Sequence, residues 1–581
     1  MHCGLLLLFM LFPRPGYSNI GGHDLFTSLS NLKDLWINDQ EVVQDFEDVA
    51  QNLESMAKHL RQYVKSHKKN GLDSEVNISF LGHPINSYHL IKHVSMGWRD
   101  IVDNVLNVEK IVREKFDKFH ERGEKQLPDY YDIQGASFGI ARLISLYELN
   151  ATSLVREGRV VGELGDWQTI YSEPSHVSLN AWDVYSIAAE AFSNRLFNAG
   201  YDMLDLALKK LMEEKINPPN DQVVFNVTAT HLEMDVVRSS LKKVIEMHNV
   251  FLKKRGNISS SHRTHDHPVG LKKPKKKSKK KISKNRFAIM DNLIKDLETY
   301  ENALKSEETY VKTPIQTNLL CSGVKFRTPK EDADLRCFYA DSGNPWLKLG
   351  PIKTEILNYD PYVAAFRELL FDEECDNITE YLSPKLDFPP GRMKSNSLKN
   401  DWTMKNTWPV EDDNKVLEKL TLRVEAVMDL LANSKNNESD KFMCGNYGIG
   451  GHYGTHPDFS AYSHEEFKVP GSKVNRISTV MTILQSPSAG GATVFPYTGA
   501  YSYPEKGTGI GWYNLKDDGY PDELTRHAAC PVLFGQKWIG NKWIGYTPQI
   551  YKKPCSLKMG TKLSGPLPKF KRKKVENSVS I

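Results

Sequence analysis

A chain of 581 residues is longer than one hydrophobic core organises, so several domains are expected. Its 40% apolar and 25% charged residues are ordinary for a globular protein and leave out a wholly disordered or fibrous chain. A net charge of +4, with the basic excess gathered in local runs, points to no strongly acidic partner.

Met1 to Phe12 is an apolar stretch followed by Pro13, Pro15, Gly16 and Ser18, the pattern of a cleaved signal peptide over residues 1–18 and too short to span a bilayer. Sequons at Asn77, Asn150, Asn226, Asn257, Asn377 and Asn437 agree with a secretory route. Beyond Cys3, all cysteines lie in the C-terminal half: Cys321, Cys337, Cys375, Cys444, Cys530 and Cys555. An oxidising compartment permits disulfides among them but leaves the pairing open. The absence of a CxxC argues against a zinc ribbon or thioredoxin-type site.

Residues 19–127 are expected to form an N-terminal helical region. Val42, Phe46, Val49, Leu53, Met56, Leu60 and Tyr63 alternate at intervals of four and three, the seam of a dimerising coiled coil or of an amphipathic helix packed within its own domain. Residues 128–252 read as several helices. Ser178 to Leu211, broken near Asn198 to Gly200, suggests a tetratricopeptide-like unit suited to binding extended peptides. Residues 253–290, with Lys272 to Lys281, have almost no apolar content and read as a basic disordered linker. The signal sequence argues against reading those lysines as a nucleic-acid site.

Residues 291–560 change to a mixed pattern, followed by a basic tail at 561–581. Helix-like segments at 362–382 and 416–432 precede short strand-like runs at 442–449, 476–484, 492–497, 508–514 and 530–545. Many short strands with turn signals predict a sandwich or jelly roll with helices on one side. The fold class is thus multidomain α + β.

His456-Pro457-Asp458 is the only His-x-Asp among the 18 histidines. On an extended segment, residues i and i+2 share a face, so imidazole and carboxylate converge there. A histidine from a neighbouring strand completes a two-histidine, one-carboxylate face that binds Fe(II) and leaves positions open for a bidentate cosubstrate and oxygen. His527 fits that role. Lys537, ten residues further on, could place a buried ammonium against the distal carboxylate of 2-oxoglutarate.

These residues resemble the catalytic α subunit of collagen prolyl 4-hydroxylase. The likeness spans essentially the mature chain and is densest in Asn446 to Tyr453, Ala489 to Pro496 and Arg526 to Leu533. It implies a dimerising helical region, a tetratricopeptide-like peptide-binding domain and a double-stranded β-helix (jelly roll) catalytic domain. It further implies that His456, Asp458 and His527 ligate Fe(II), that Lys537, Tyr447 and Thr493 hold 2-oxoglutarate, and that Arg476 and Trp543 lie beside the substrate proline. Disulfides Cys321 with Cys337 and Cys530 with Cys555 are implied as well.

The implied reaction is decarboxylation of 2-oxoglutarate to succinate coupled to 4-hydroxylation of peptidyl proline. Ascorbate would sustain the iron, and protein disulfide isomerase would act as β subunit of an α2β2 tetramer in the lumen of the endoplasmic reticulum. The absence of a KDEL-type ending fits retention through that partner. Three departures stand out: Gly545 where the family has a histidine, Thr482-Ile483 in place of an aromatic pair, and Phe197-Asn198 in place of a Tyr-Tyr pair. These keep open a catalytically impaired paralogue that binds collagen-like or proline-rich chains as an assembly factor. A lysyl hydroxylase would normally carry an arginine in the place of Lys537.

Overall fold

The computed structural model describes residues 29–69, 84–123, 130–216 except 165–167, 176–177 and 195, 234–255, 312–387 except 342–343, 403–459, and 475–567 except 557 and 559. The expected signal peptide, most of the basic linker and most of the basic tail lie outside the described residues. The chain divides into two compact units, one over 30–129 and one from 130 onward.

In the first unit, α1 (Leu29–Lys69) packs on a second arm made of α2 (Pro84–Lys92), a π turn at His93–Gly97, and α3 (Trp98–Gly123). The seam at 42–63 is helical throughout, and part of it faces this second arm. Phe46 meets Phe116 at 6.2 Å between ring centroids, and Lys115 bridges Asp45 at 2.6 Å and Asp48 at 2.9 Å. Gly97 admits the Tyr63 ring, which a Cβ would meet at 2.9 Å. Phe46, Leu53 and Val64 stay exposed.

The second unit opens with a helical layer: α4 (Tyr130–Tyr147), α5 (Ala151–Arg156), the hairpin β1 (Val161–Leu164) and β2 (Gln168–Tyr171), α6 (Ala181–Ser193), α7 (Phe197–Ile216) and α8 (Met234–Arg255). The Asn180 side chain caps α6 by accepting from the backbone N–H of Asp183, whose carboxylate accepts in return from that of Asn180. The break between α6 and α7 falls at residues 194–196, not at Asn198 to Gly200, which lie in the first turn of α7. Gly200 faces α6 opposite Ala188 and Ala191.

Further along come α9 (Lys312–Cys321), β3 (Cys337–Ala340), β4 (Ile352–Tyr359), β5 (Tyr362–Arg367), α10 (Asp372–Leu382), β6 (Lys405–Thr407), α11 (Lys415–Met428), β7 (Met443–Tyr447), β8 (Tyr453–His456) and β9 (Arg476–Gln485). The unit closes with β10 (Ala489–Gly490), β11 (Thr493–Phe495), β12 (Ala500–Ser502), β13 (Gly509–Tyr513), β14 (His527–Ala529), β15 (Val532–Phe534) and β16 (Lys537–Gly545). The helix expected over 362–382 is therefore half strand. Its run Tyr-Val-Ala-Ala-Phe is a β5 buried on both faces, where periodicity does not separate the two states.

An eight-stranded antiparallel sheet runs β3-β4-β5-β13-β9-β16-β7-β6, beside a four-stranded one, β12-β11-β14-β8, and the pair β10-β15. Val363, Met481, Ile483, Trp512, Ile539, Phe495 and Ala500 form one core drawn from both sheets. On the outer side of the large sheet, α10 and α11 pack Ile378, Leu417 and Val424 on Phe366, Val480 and Trp538. Beyond the small sheet, Ala492, Val494, Ala528 and Leu533 share a core with α4, α6 and α7. The observed class is mixed: helices toward the N-terminus and antiparallel sheets toward the C-terminus. No helix among the described residues is long and apolar enough to cross a membrane.

The cysteine pairing differs from expectation. Cys321 at the end of α9 bonds to Cys530 after β14, with their Cα atoms 5.5 Å apart, while Cys337 and Cys555 are exposed thiols. Both bonded residues are buried in the core shared by the helical layer and the small sheet. A partner close in sequence counts for less than one brought close by packing. Peptide mapping without reduction is expected to recover Cys321 linked to Cys530, with Cys337 and Cys555 open to alkylation. Cys530→Ser is expected to lower stability by about 2–5 kcal/mol.

Candidate metal and cosubstrate site

Strand register brings the chemistry together. β14 pairs with β8 so that His527 stands directly opposite His456, and Asp458 follows two residues past the end of β8. His456 Nε2 lies 3.7 Å from Asp458 Oδ1, and His527 Nε2 lies 3.8 Å from Oδ2. One ligand atom from each of the three lies within 4.8 Å of the others, the only such group of three or more found among the described residues.

Backbone carbonyls orient both rings: His456 Nδ1 donates to Gly454 O at 2.8 Å, and His527 Nδ1 to Thr525 O at 3.1 Å. Both lone pairs are thereby assigned to Nε2, the atoms that face Asp458. Tyr453 stacks on His456 at 3.6 Å, and Trp512 meets His527 edge-on at 4.6 Å. Burial and the neighbouring His527 push the His456 imidazole down to about 3, so it is neutral and ready to ligate. Burial opposes charge on Asp458 too, yet His527, His456 and a hydrogen bond from Thr479 together hold its carboxyl below the usual range.

Thr479 Oγ1 donates to Asp458 Oδ2 at 2.7 Å and accepts from Asn514 Nδ2 at 2.9 Å, while Asn514 Oδ1 accepts from Trp512 Nε1 at 2.8 Å. Arg476 Nη1 donates to the Asp458 carbonyl at 3.4 Å, and its guanidinium pairs with Asp440 at 2.9 Å and lies 4.0 Å from the Trp543 ring. Thr479, Asn514, Trp512 and Asp440 escape local motif reading. The one available signal is strand parity, since Thr479 shares the inward face with Met481 and Ile483.

Lys537 begins β16 and is 1% exposed. It pairs in register with Tyr447, whose ring lies 6.0 Å from its ammonium. Its Nζ donates to Gly491 O at 2.7 Å and to Thr493 Oγ1 at 3.2 Å. Burial alone pushes Lys537 down to about 7. Lys537, Asn541 and Trp543 lie an even number of residues apart on β16 and share its inward face. Asn541 Oδ1 on that face is buried with no hydrogen-bond partner among the described residues.

Of the departures, Ile483 is in the inter-sheet core, while Thr482 points to the opposite face by alternation. Gly545 pairs with Arg476 at the Trp543 end and donates its N–H to Glu438 O at 2.8 Å. Asn198 in the helical layer accepts from Ser145 Oγ at 2.9 Å.

The donor set fits a ferrous ion: two imidazoles whose Nε2 atoms face one carboxylate, with a separate buried lysine for a dicarboxylate. A family model for the 2OG-Fe(II) oxygenase superfamily matches residues 442–545, which contain all four of those groups. The chain is an Fe(II)- and 2-oxoglutarate-dependent dioxygenase. A second model, for the prolyl 4-hydroxylase alpha-subunit N-terminal region, matches residues 28–159. Prolyl 4-hydroxylase subunit alpha-2 of Caenorhabditis elegans is 28% identical over 92% of this chain and 94% of its own length. Human subunit alpha-1 is 26% identical over 95% and 98%. A solved viral collagen prolyl hydroxylase from Paramecium Bursaria Chlorella virus-1 is 23% identical, covering 32% of this chain and 96% of its own, with a TM-score of 0.26. The chain is thus similar to prolyl 4-hydroxylase alpha subunits over nearly its whole length.

Thr479→Val removes the donor to Asp458 and the acceptor for Asn514 Nδ2. It is expected to weaken Mn(II) binding by about 10- to 100-fold, read by metal titration, whereas Thr479→Ser should bind like the parent. Equal affinity of Thr479→Val and the parent would rule out the orienting role.

Proposed function

We propose that this chain 4-hydroxylates peptidyl proline in collagen-like or proline-rich polypeptides, using 2-oxoglutarate and O2 with ascorbate as reductant. The observation that carries this reading is the joint placement of His456, Asp458 and His527 with Lys537 between the two sheets. In this reading the three side chains hold Fe(II), which supplies the redox step that divides O2 between cosubstrate and proline. The net change is balanced: proline, 2-oxoglutarate and O2 give hydroxyproline, succinate and CO2.

The protein's part is orientation and charge. Lys537, Thr493 and Tyr447 take the distal carboxylate, as a buried dicarboxylate requires a cation and hydrogen-bond donors to replace water. Arg476 and Trp543 line the side where the peptide enters. Gly545 offers no side chain there, so peptide placement rests on Arg476 and Trp543 and on contacts further out. We assign the sheet pair to the double-stranded β-helix type and the helical region over 128–252 to a tetratricopeptide-like peptide-binding role. The 30–129 unit is assigned to dimerisation through its exposed apolar positions. The lumen of the endoplasmic reticulum as the site of action, and protein disulfide isomerase as the partner subunit, belong to the same proposal. They draw on the leader, the sequons and the family.

Incubation of the full chain, co-expressed with the isomerase, with Fe(II), 2-oxoglutarate and a Pro-Pro-Gly repeat peptide should yield succinate matched by one added oxygen per modified proline in mass spectra. Succinate formation indifferent to the peptide, or none at all, would defeat this reading.

The lysine sets a pH dependence. In the free site Lys537 is neutral above about 7, while bound dicarboxylate favours the ammonium, so binding must take up a proton there. The dissociation constant for 2-oxoglutarate is therefore expected to be flat below that value and to rise about tenfold per pH unit above it. Lys537→Met should weaken binding at all these pH values and abolish the slope. Calorimetry from pH 6 to 9 reads both, and a flat parent profile would remove Lys537 from the cosubstrate pocket.

A further inference from the structure

We infer that helix α4 is a wall of the cosubstrate pocket, with Tyr147 and Arg142 as positioning residues that hold Lys537 and Tyr447 in place through the backbone. The inference rests on the 2-oxoglutarate reading of that pocket and extends it to the helical layer.

Tyr147, at the end of α4, is 1% exposed, and its hydroxyl donates to Pro531 O at 2.5 Å. Burial holds the phenol above its ordinary range, so it is a neutral donor across the working pH. The same Pro531 carbonyl accepts from the Gly491 N–H at 3.0 Å, and the Gly491 carbonyl in turn accepts from Lys537 Nζ at 2.7 Å. Gly490, at φ +75°, makes room for this contact: a Cβ there would lie 2.9 Å from the Tyr147 hydroxyl and 2.7 Å from Pro531 O. The two glycines thus let a side chain from the helical layer reach the turn that holds the buried ammonium.

Five residues earlier on α4, Arg142 Nη1 donates to Gly450 O at 3.0 Å and lies 3.0 Å from His452 Nδ1. Gly450, at φ +74°, packs against Gly139 of the same helix, where its Cβ would stand 3.4 Å from the Gly139 Cα. That glycine loop joins Tyr447, which faces Lys537, to β8, which carries His456. It is bonded back to the other wall, Gly450 N–H to Val532 O at 2.7 Å and Val532 N–H to Gly451 O at 3.0 Å. One helix therefore grips both walls of the pocket, and the apolar core continues from α4 through Ala492 and Leu533 without a break. A layer tied in this way acts as part of the dioxygenase site, beyond any role in holding a peptide.

The test uses the full chain with Mn(II) as a non-redox ion and 2-oxoglutarate as ligand, read by calorimetry, together with KM values for 2-oxoglutarate and for a Pro-Pro-Gly peptide. Tyr147→Phe and Arg142→Lys are each expected to raise the 2-oxoglutarate Kd and KM about fivefold, at unchanged peptide KM. Leu204→Ala, a cavity deeper in the same helical core, is the control: a lower Tm with the 2-oxoglutarate constants unmoved. Unchanged 2-oxoglutarate constants in the folded variants would overturn the inference, as would an equal change in Leu204→Ala. Should Tyr147→Phe not fold, Arg142→Lys decides by the same criterion. A parent chain that binds no 2-oxoglutarate would instead refute the pocket itself.

Discussion

Two imidazoles and one carboxylate must be aimed at a common point before an ion can be captured there, and the architecture of the sheet pair follows from that requirement. Direct cross-strand pairing of His527 with His456 sets the separation of the rings. A backbone carbonyl two residues upstream of each ring fixes which nitrogen is left free. Asp458 is the expensive member, since a buried carboxylate needs compensation wherever metal is absent. It receives that compensation from Thr479, which is itself held by Asn514 and Trp512. Charge, hydrogen bonding and ring packing thus describe one arrangement.

The pleat of β16 separates the two tasks of the site. Side chains on its inward face run from Lys537 to Trp543, a span of about 20 Å at strand spacing, so the ammonium for a dicarboxylate and the aromatic surface for a peptide fall at opposite ends. The outward face of the same strand carries Lys542, buried against Glu411, whose carboxylate also accepts from the Ser434 backbone N–H at 3.0 Å. Two buried lysines a few residues apart therefore have different character. Lys542 keeps a carboxylate partner, whereas Lys537 among the described residues donates to the neutral oxygens of Gly491 and Thr493 and is left to meet an incoming anion.

The part of the site legible in the sequence was the part written locally: the His-x-Asp pair, a histidine at a strand start and a lysine one hairpin beyond. Pleat parity and the demands of chelation were enough to select those. Residues that act through tertiary hydrogen bonds, such as Thr479, Asn514 and Asp440, carry no local signature. The same limit explains the cysteines, because Cys321 meets Cys530 across 209 residues of chain through packing of α9 on the small sheet. At the level of fold, the strand-like runs at 442–449, 476–484, 492–497, 508–514 and 530–545 coincide with strands, whereas β3, β4, β6, β8, β10, β12 and β14 fall outside them, and β5 reads as helix because a strand buried on both faces loses its alternation. The α6–α7 break expected near Asn198 to Gly200 falls just before them, because a glycine in the first turn of a helix reads as a breaker. The hairpin β1–β2 interrupts a region whose sequence reads as helical.

The central claim, that metal and dicarboxylate share one site, is tested most directly by anaerobic calorimetry of 2-oxoglutarate on the full chain with and without Fe(II). The account predicts one 2-oxoglutarate bound per chain with Fe(II) present and a marked loss of affinity without it, matched by a similar loss in Asp458→Ala. Binding of equal strength with and without iron, or no binding in either case, would contradict it.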